Sequence, residues 1–305
     1  MLRAVHLMLT YRCTLECDHC FVHAGPEAAG TMTLAVIRRV LEEARRVESV
    51  ASVCFEGGEP LLFYATLLEG VRLARDAGFE VGVVTNAYPA ISDDDAEAWL
   101  RPLAAAGVSR LSVSDDVFHH DSSDSPAARA IRAAARVGLP CSRLTVEAPR
   151  AQEACGAPVV SGGVMFRGRA AEKLTKGLPR RPLASLDRCP HEDLRSPSRV
   201  HIDPYGYVHL CQGLVVGTIA EHDLADLMRD YRPESHPVAG PLVDGGPARL
   251  ARRYGIDPED GYVDECHCCY LVRQRLIHWF PDHLAPPQVY GLEDPPYRKE
   301  RASLV

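Results

Sequence analysis

Cys13, Cys17 and Cys20 place three thiols within eight residues, directly after the apolar run 5–10 and ahead of a Gly/Pro-rich turn. Thiolates are soft ligands, so a tight group of them is a metal-binding feature wherever thiols stay reduced. The N-terminus has an early arginine but only a short apolar run and no small-residue cleavage site, unlike a signal peptide. The expected address is therefore cytoplasmic, with the eleven cysteines mostly free thiols rather than disulfides. Cys54, Cys141 and Cys155 are expected to be ordinary buried thiols. The triplet alone could also hold zinc, which commonly takes four tetrahedral ligands. Gly57-Gly58-Glu59-Pro60, taken alone, is a turn that starts a helix with proline near its first position. Phe118-His119-His120-Asp121 offers a His pair and a carboxylate for acid–base work or a metal, or else a solvated loop.

The elements that must position these groups show a repeat. Gly78, Gly107 and Gly138 each close a helix-like segment and precede a strand-like run, at the spacing of β-α units. Thr33 is placed to cap a helix whose apolar residues Leu34, Ile37, Leu41, Ala44 and Val47 share one face. Ser92 opens another, with acidic residues where the helix dipole favours them. Strands are expected at 5–10, 52–56, 80–85, 110–114, 143–147 and 159–165. Alternation with helices predicts a parallel sheet, either an incomplete β/α barrel or an open doubly wound sheet. In both, functional groups gather past the carboxyl ends of the strands. The cysteine triplet, the Gly-Gly turn, Thr85-Asn86 and Ser112 to Asp116 all fall there.

Composition narrows the partners. The 305 residues are 46% hydrophobic and 25% charged, enough for a sizeable core, and the net charge of −7 with only short basic runs argues against nucleic acid. No apolar run approaches the roughly 20 residues of a membrane span.

Cys13-x-x-x-Cys17-x-x-Cys20 after a first strand, with Gly57-Gly58-Glu59-Pro60 after the second, resembles the radical S-adenosylmethionine (SAM) superfamily over about the first 180 residues. The resemblance implies an α/β fold, a partial (β/α)6 TIM-like barrel, with a [4Fe-4S] cluster on Cys13, Cys17 and Cys20 and one iron left open for the amino and carboxylate groups of SAM. An electron from the cluster would cleave the sulfonium to a 5′-deoxyadenosyl radical, which takes a hydrogen atom from substrate. Gly57, Gly58 and Glu59 match the segment that receives the methionine amino group. Thr85 and Asn86 match the polar end of strand three, near the methionine or ribose. Ser112, Ser114 and Asp115 occupy the region that contacts ribose hydroxyls. His19 stands where the family commonly has an aromatic residue near adenine, with Phe21 just after. Arg143, Glu147 and Arg167 lie on or near later strands, and Arg167-Gly-Arg-Ala170 resembles a segment found in members with an added cluster domain.

After Gly177 the alternation stops, so the expected domains are a core barrel, 1–178, and a smaller cysteine-rich α+β domain, 179–305. The run 200–211 reads as a β-hairpin turning at Pro204 to Gly206 and ending on Cys211. It resembles the start of a SPASM or shorter twitch-type domain, which carries auxiliary iron–sulfur clusters. Five cysteines suit one auxiliary [4Fe-4S] cluster on Cys189, Cys211, Cys266 and Cys269, with Cys268 pointing elsewhere or serving as an alternative ligand; a zinc site on the same four cysteines is the lesser alternative. The proline-rich tail from Phe280 is either a strap or a solvated end.

Three function classes follow: a peptide- or protein-modifying radical enzyme of the maturase type, a small-molecule dehydrogenase or rearrangement enzyme of twitch type, and a non-enzymatic iron–sulfur or zinc protein. Only twelve residues precede Cys13, so the first class would call on a separate peptide-recognition protein. Any radical reading needs an external reductant such as flavodoxin or ferredoxin.

Overall fold

A computed structural model describes residues 1–120, 123–154 and 157–293. The chain alternates strand and helix at first: β1 (Ala4–Thr10), α1 (Leu34–Arg45), β2 (Ser52–Gly57), α2 (Tyr64–Asp76), β3 (Glu80–Thr85), α3 (Asp93–Ala105), β4 (Val108–Ser114), α4 (Pro126–Arg136) and β5 (Cys141–Leu144). Local chemistry sets the helix ends. Thr33 and Ser92 accept from the backbone N–H groups of Val36 and Asp95, and Gly78, Gly107 and Gly138 take positive φ just past the helices.

The irregular half follows: β6 (Arg150–Ala154), β7 (Ala157–Ser161), the short α5 (Arg169–Lys173), β8 (Arg199–Ile202), β9 (Tyr207–Cys211), β10 (Leu214–Thr218), α6 (Leu224–Asp230), α7 (Ala239–Arg253) and α8 (Glu265–Leu276). One sheet of eight strands, ordered β10-β9-β8-β1-β2-β3-β4-β5, runs through both halves. The six from β8 to β5 are parallel, and β9 and β10 complete an antiparallel meander. The fold is thus α/β with a large, mainly parallel sheet that does not close into a barrel among the described residues.

Two strand expectations need correcting. The fifth strand lies at 141–144 rather than 143–147. The segment expected as a sixth parallel strand forms instead the antiparallel hairpin β6–β7, apart from the main sheet. The residues between β5 and this segment are not a crossover helix but include β6, which pairs with β7 antiparallel. The sixth parallel strand is β8, supplied by the second half and paired with β1 on the opposite side from β2.

Helices α1 to α4 touch one another in succession and form one layer on one face of the sheet. Val5, Leu7, Leu9, Val53, Phe55, Val81, Val83, Leu111 and Val113 are buried beneath them. Their strand neighbours therefore point the other way, to an inner face that carries His6, Cys54, Glu56, Ser112 and Ser114, all only partly buried. Cys54 and Cys141, expected as ordinary buried thiols, are partly buried; Cys155 lies outside the described residues.

The hairpin at 200–211 turns where expected: Gly206 N–H donates to Asp203 O, and Asp203 Oδ1 accepts from the backbone of Tyr205 and Tyr207. The tail is a strap as far as residue 293. Val215 N–H donates to His283 O, the Tyr290 hydroxyl donates to Gly213 O at 2.8 Å, and Leu284 and Tyr290 are fully buried. Among the described residues, no helix is long and apolar enough to cross a membrane.

Candidate active site

The cysteine loop leaves the carboxyl end of β1 and is held from two sides. On one side Gly58 N–H donates to Thr10 O and Glu59 N–H to Arg12 O. A Cβ on Gly57 would stand 2.4 Å from Thr10 O, and one on Gly58 would stand 2.2 Å from Arg12 O. Both glycines are thus demanded by the backbone that leads into Cys13. On the other side Arg169 Nε donates to Cys17 O at 2.9 Å, its Nη2 donates to Ala24 O at 2.7 Å, and its backbone N–H donates to Cys20 O. A Cβ on Gly168 would meet Cys20 O at 2.4 Å, so this side of the loop is equally close-packed.

Glu59, Thr85 and Asn86 form one buried clamp between β2 and β3. Glu59 Oε1 accepts from the Thr85 hydroxyl at 2.7 Å and from Leu61 N–H, and Oε2 accepts from Asn86 N–H at 2.7 Å. Both carboxylate oxygens thus accept from the protein, three donors in all against the roughly four lone-pair sites of a carboxylate. Asn86 Nδ2 donates to Thr14 Oγ1 at 3.0 Å and lies 3.7 Å from Cys13 Sγ, which ties the clamp to the cysteine loop.

Burial pushes Glu59 up to about 7 against the pull of its three donors. Between its ordinary value and about pH 7 the folded chain therefore holds a proton that the unfolded chain has released. Stability falls as pH rises through that window, by about 3 kcal/mol in all. Thermal unfolding from pH 5 to 8 should show a flatter pH slope in Glu59→Gln than in wild type; an unchanged slope would assign the titration elsewhere.

Ser112 and Ser114 alternate with buried Leu111 and Val113 and so face inward. Ser112 Oγ lies 3.0 Å from Ser142 Oγ. Asp115 is engaged by Arg143 Nε at 3.0 Å and by the Ser125 hydroxyl. His19 stacks on Phe118 and meets His119 edge-on, and its Nδ1 is buried without a hydrogen-bond partner. The carboxylate beside the His pair is Asp116, whose Oδ1 sits 2.8 Å from His119 Nδ1, while Asp121 lies outside the described residues. His120 turns away, its Nε2 3.1 Å from Asn86 O. The sequence reading passed over Asp116 as a partner of His19 and His119, and over His6 and His201 altogether. Strand alternation alone marked His6 as facing the same side as Glu56 and Ser112.

Cys189, Cys211, Cys266 and Cys269 line one pocket together with Arg167 and Arg273. Cys268 is not among the lining residues; it is fully buried in the core, beside Tyr262. Asp264 caps α8 by accepting from His267 N–H, which starts the helix so that Cys266 and Cys269, one turn apart, share a face. Arg167 Nη1 donates to Cys211 Sγ at 2.8 Å, and Arg167 is buried with its Nε unpartnered. The segment 167–169 thus touches both cysteine groups.

Both groups fit a bulky cationic cofactor. Burial first, with the neighbouring thiols, pushes Cys13 and Cys17 up to about 11 and about 12, so a positive charge is needed to ionise them together. Sulfurs around a single tetrahedral zinc stand about 3.8 Å apart, given 2.3 Å bonds. Among the described residues, the sets of donors that all lie within 4.8 Å of one another are His6, Glu56 and His201, and His19, Asp116 and His119. Neither cysteine group is among those sets.

A mainly parallel α/β sheet thus carries the cysteine loop past its first strand and the double-glycine turn past its second. Residues 7–147 match the radical SAM superfamily, and the chain carries a radical SAM domain. It is 24% identical over 117 residues to the "Putative peptide biosynthesis protein YydG" of Bacillus subtilis strain 168, covering 38% of this chain and 37% of that protein. It is 34% identical over 112 residues to the "PqqA peptide cyclase" of Rhodopseudomonas palustris, covering 36% of this chain and 28% of that protein. The chain therefore spans only about a third of the length of these curated relatives. Among solved structures, BtrN in complex with AdoMet and 2-DOIA superposes with a TM-score of 0.49 at 15% identity, covering 75% of this chain and 83% of that one.

Proposed function

We propose that the chain is a radical SAM enzyme that oxidatively modifies a peptide or protein, with residues 1–178 as its core and 179–305 as an auxiliary cluster region of SPASM/twitch type. Cys13, Cys17 and Cys20 would hold the [4Fe-4S] cluster that reductively cleaves SAM to a 5′-deoxyadenosyl radical, the species that abstracts a substrate hydrogen atom. Gly57 and Gly58 keep the loop close to β1, and Glu59 fixes Thr85 and Asn86 beside Cys13. His19, Ser112, Ser114 and Asp115 line the remaining approach to SAM. Cys189, Cys211, Cys266 and Cys269 would hold a second [4Fe-4S] cluster. Its electrons, and those of the first, would come from or go to a carrier such as flavodoxin or ferredoxin.

The observation that carries the peptide reading is the likeness of the core to two relatives named for peptide work. An open sheet supports it: β5 is an edge strand whose residues 142–144 are exposed, so an extended chain has access to the inner face. The test is to offer a random peptide library and a metabolite extract separately and to follow 5′-deoxyadenosine above the substrate-free rate. Stimulation by peptides alone supports the proposal, and stimulation by metabolites alone replaces it with the small-molecule reading. The domain match and the glycine turn weigh against a non-enzymatic electron carrier or zinc protein.

Arg167 gives the second site a measurable property. A buried guanidinium donating to a ligand sulfur stabilises the more negative, reduced state of a cluster. Arg167→Gln is expected to lower the midpoint potential of the second cluster in a redox titration followed by electron paramagnetic resonance, leaving that of the first in place. No shift would place Arg167 among structural residues.

A further inference from the structure

His6 on β1, Glu56 on β2 and His201 on β8 meet on the inner face of the sheet, and nothing in the SAM or cysteine chemistry uses them. The three come from adjacent strands. His6 and His201 are register partners, and Glu56 is the partner of Met8, two residues along the same side of β1. The carboxylate offers one oxygen to each imidazole: Oε2 lies 3.0 Å from His6 Nδ1 and Oε1 lies 2.7 Å from His201 Nδ1. All three donor atoms fall within 4.8 Å of one another.

We infer that His6, Glu56 and His201 form a binding site for a first-row divalent transition-metal ion. Two imidazoles and one carboxylate are the donor set that holds such ions facially and leaves other positions open. With ligand bonds of about 2.1 Å, adjacent donors of an octahedral site stand about 3.0 Å apart, close to the two histidine–carboxylate separations of 3.0 and 2.7 Å, and all three donors lie within 4.8 Å of one another. The site is also closed on one side and open on the other. His201 side-chain exposure is 6%, whereas His6 and Glu56 keep 21% and 18%, so free coordination positions face the inner surface where a substrate oxygen would arrive. Gln212, itself buried, packs its amide against the His201 ring, and Arg273 Nη1 donates to Gln212 O, which braces the site from the cysteine pocket. Glu56 supplies the negative charge that a dication needs, and the two histidines that flank it hold its carboxyl well below the ordinary range despite burial.

The probe is Co(II), which is countable beside iron and binds imidazole well. Cluster-loaded protein, with its cysteines occupied, is dialysed anoxically against Co(II), and bound cobalt is counted by plasma mass spectrometry. One cobalt per chain is expected in wild type. Glu56→Gln keeps the shape and hydrogen-bonding capacity of the side chain and should weaken binding at least tenfold, as should His201→Ala. His119→Ala, which breaks the other compact donor set, should leave the count at one. Far-UV circular dichroism and cluster absorbance establish that each variant is folded, and Glu56→Gln decides if His201→Ala is not. No cobalt bound by wild type at millimolar concentration, or undiminished binding in Glu56→Gln, overturns the inference and leaves a hydrogen-bonded triad.

Discussion

Cys17→Ala protein, reconstituted anoxically and mixed with SAM and dithionite, is expected to form no 5′-deoxyadenosine, while wild type forms it readily. Cys17 sits at the middle of the cysteine loop with its carbonyl held by Arg169, so the substitution removes one of three thiolates from a loop that otherwise keeps its shape. A cluster with two protein ligands is not retained at that site, and iron should fall from about eight to about four per chain. Mass spectrometry of the nucleoside and iron analysis check both halves. Cleavage at the wild-type rate in the variant would overturn the assignment of the cluster to this loop.

The second large effect is expected at the other cysteine group. Cys189→Ala should also keep about four iron per chain, now on the first loop, and should still release 5′-deoxyadenosine without modifying substrate. The reason is spatial: the pocket lined by Cys189, Cys211, Cys266 and Cys269 is separate from the Glu59–Thr85–Asn86 clamp that supports Cys13. Loss of nucleoside formation as well would assign Cys189 to folding, through the close-packed segment 167–169 that joins the two groups. About four iron with one zinc in wild type would replace the second cluster by a zinc site.

The sequence was most informative where chemistry is local. Helix caps at Thr33 and Ser92, the turn glycines 78, 107 and 138, and the hairpin at Asp203 to Gly206 depend on a few consecutive residues, and each is where its sequence places it. The spacing of Cys13, Cys17 and Cys20 is equally local, and so is the double glycine. What the glycines are for was less legible. Gly57 and Gly58 make room for the carbonyls of Thr10 and Arg12, a contact between segments some 45 residues apart in sequence, so only packing could assign it.

The misplaced sixth strand shows the same limit. An apolar run after β5 carries strand propensity but no information about its partner, and it pairs with β6, the strand just before it, as a hairpin. The sixth parallel place went to β8, whose in-register pairing with β1 brought His201 beside His6 and Glu56. No pattern within 199–202 could announce that neighbour. By itself, the sequence determined the α/β alternation, the two cysteine groups and the radical SAM domain, because those rest on spacing along the chain. The tertiary structure alone decided that Glu59 accepts from Thr85 and Asn86, that Arg167 reaches Cys211, and that two histidines share Glu56. Each of those joins strands or loops distant in sequence, where partner and distance are set by how the sheet packs.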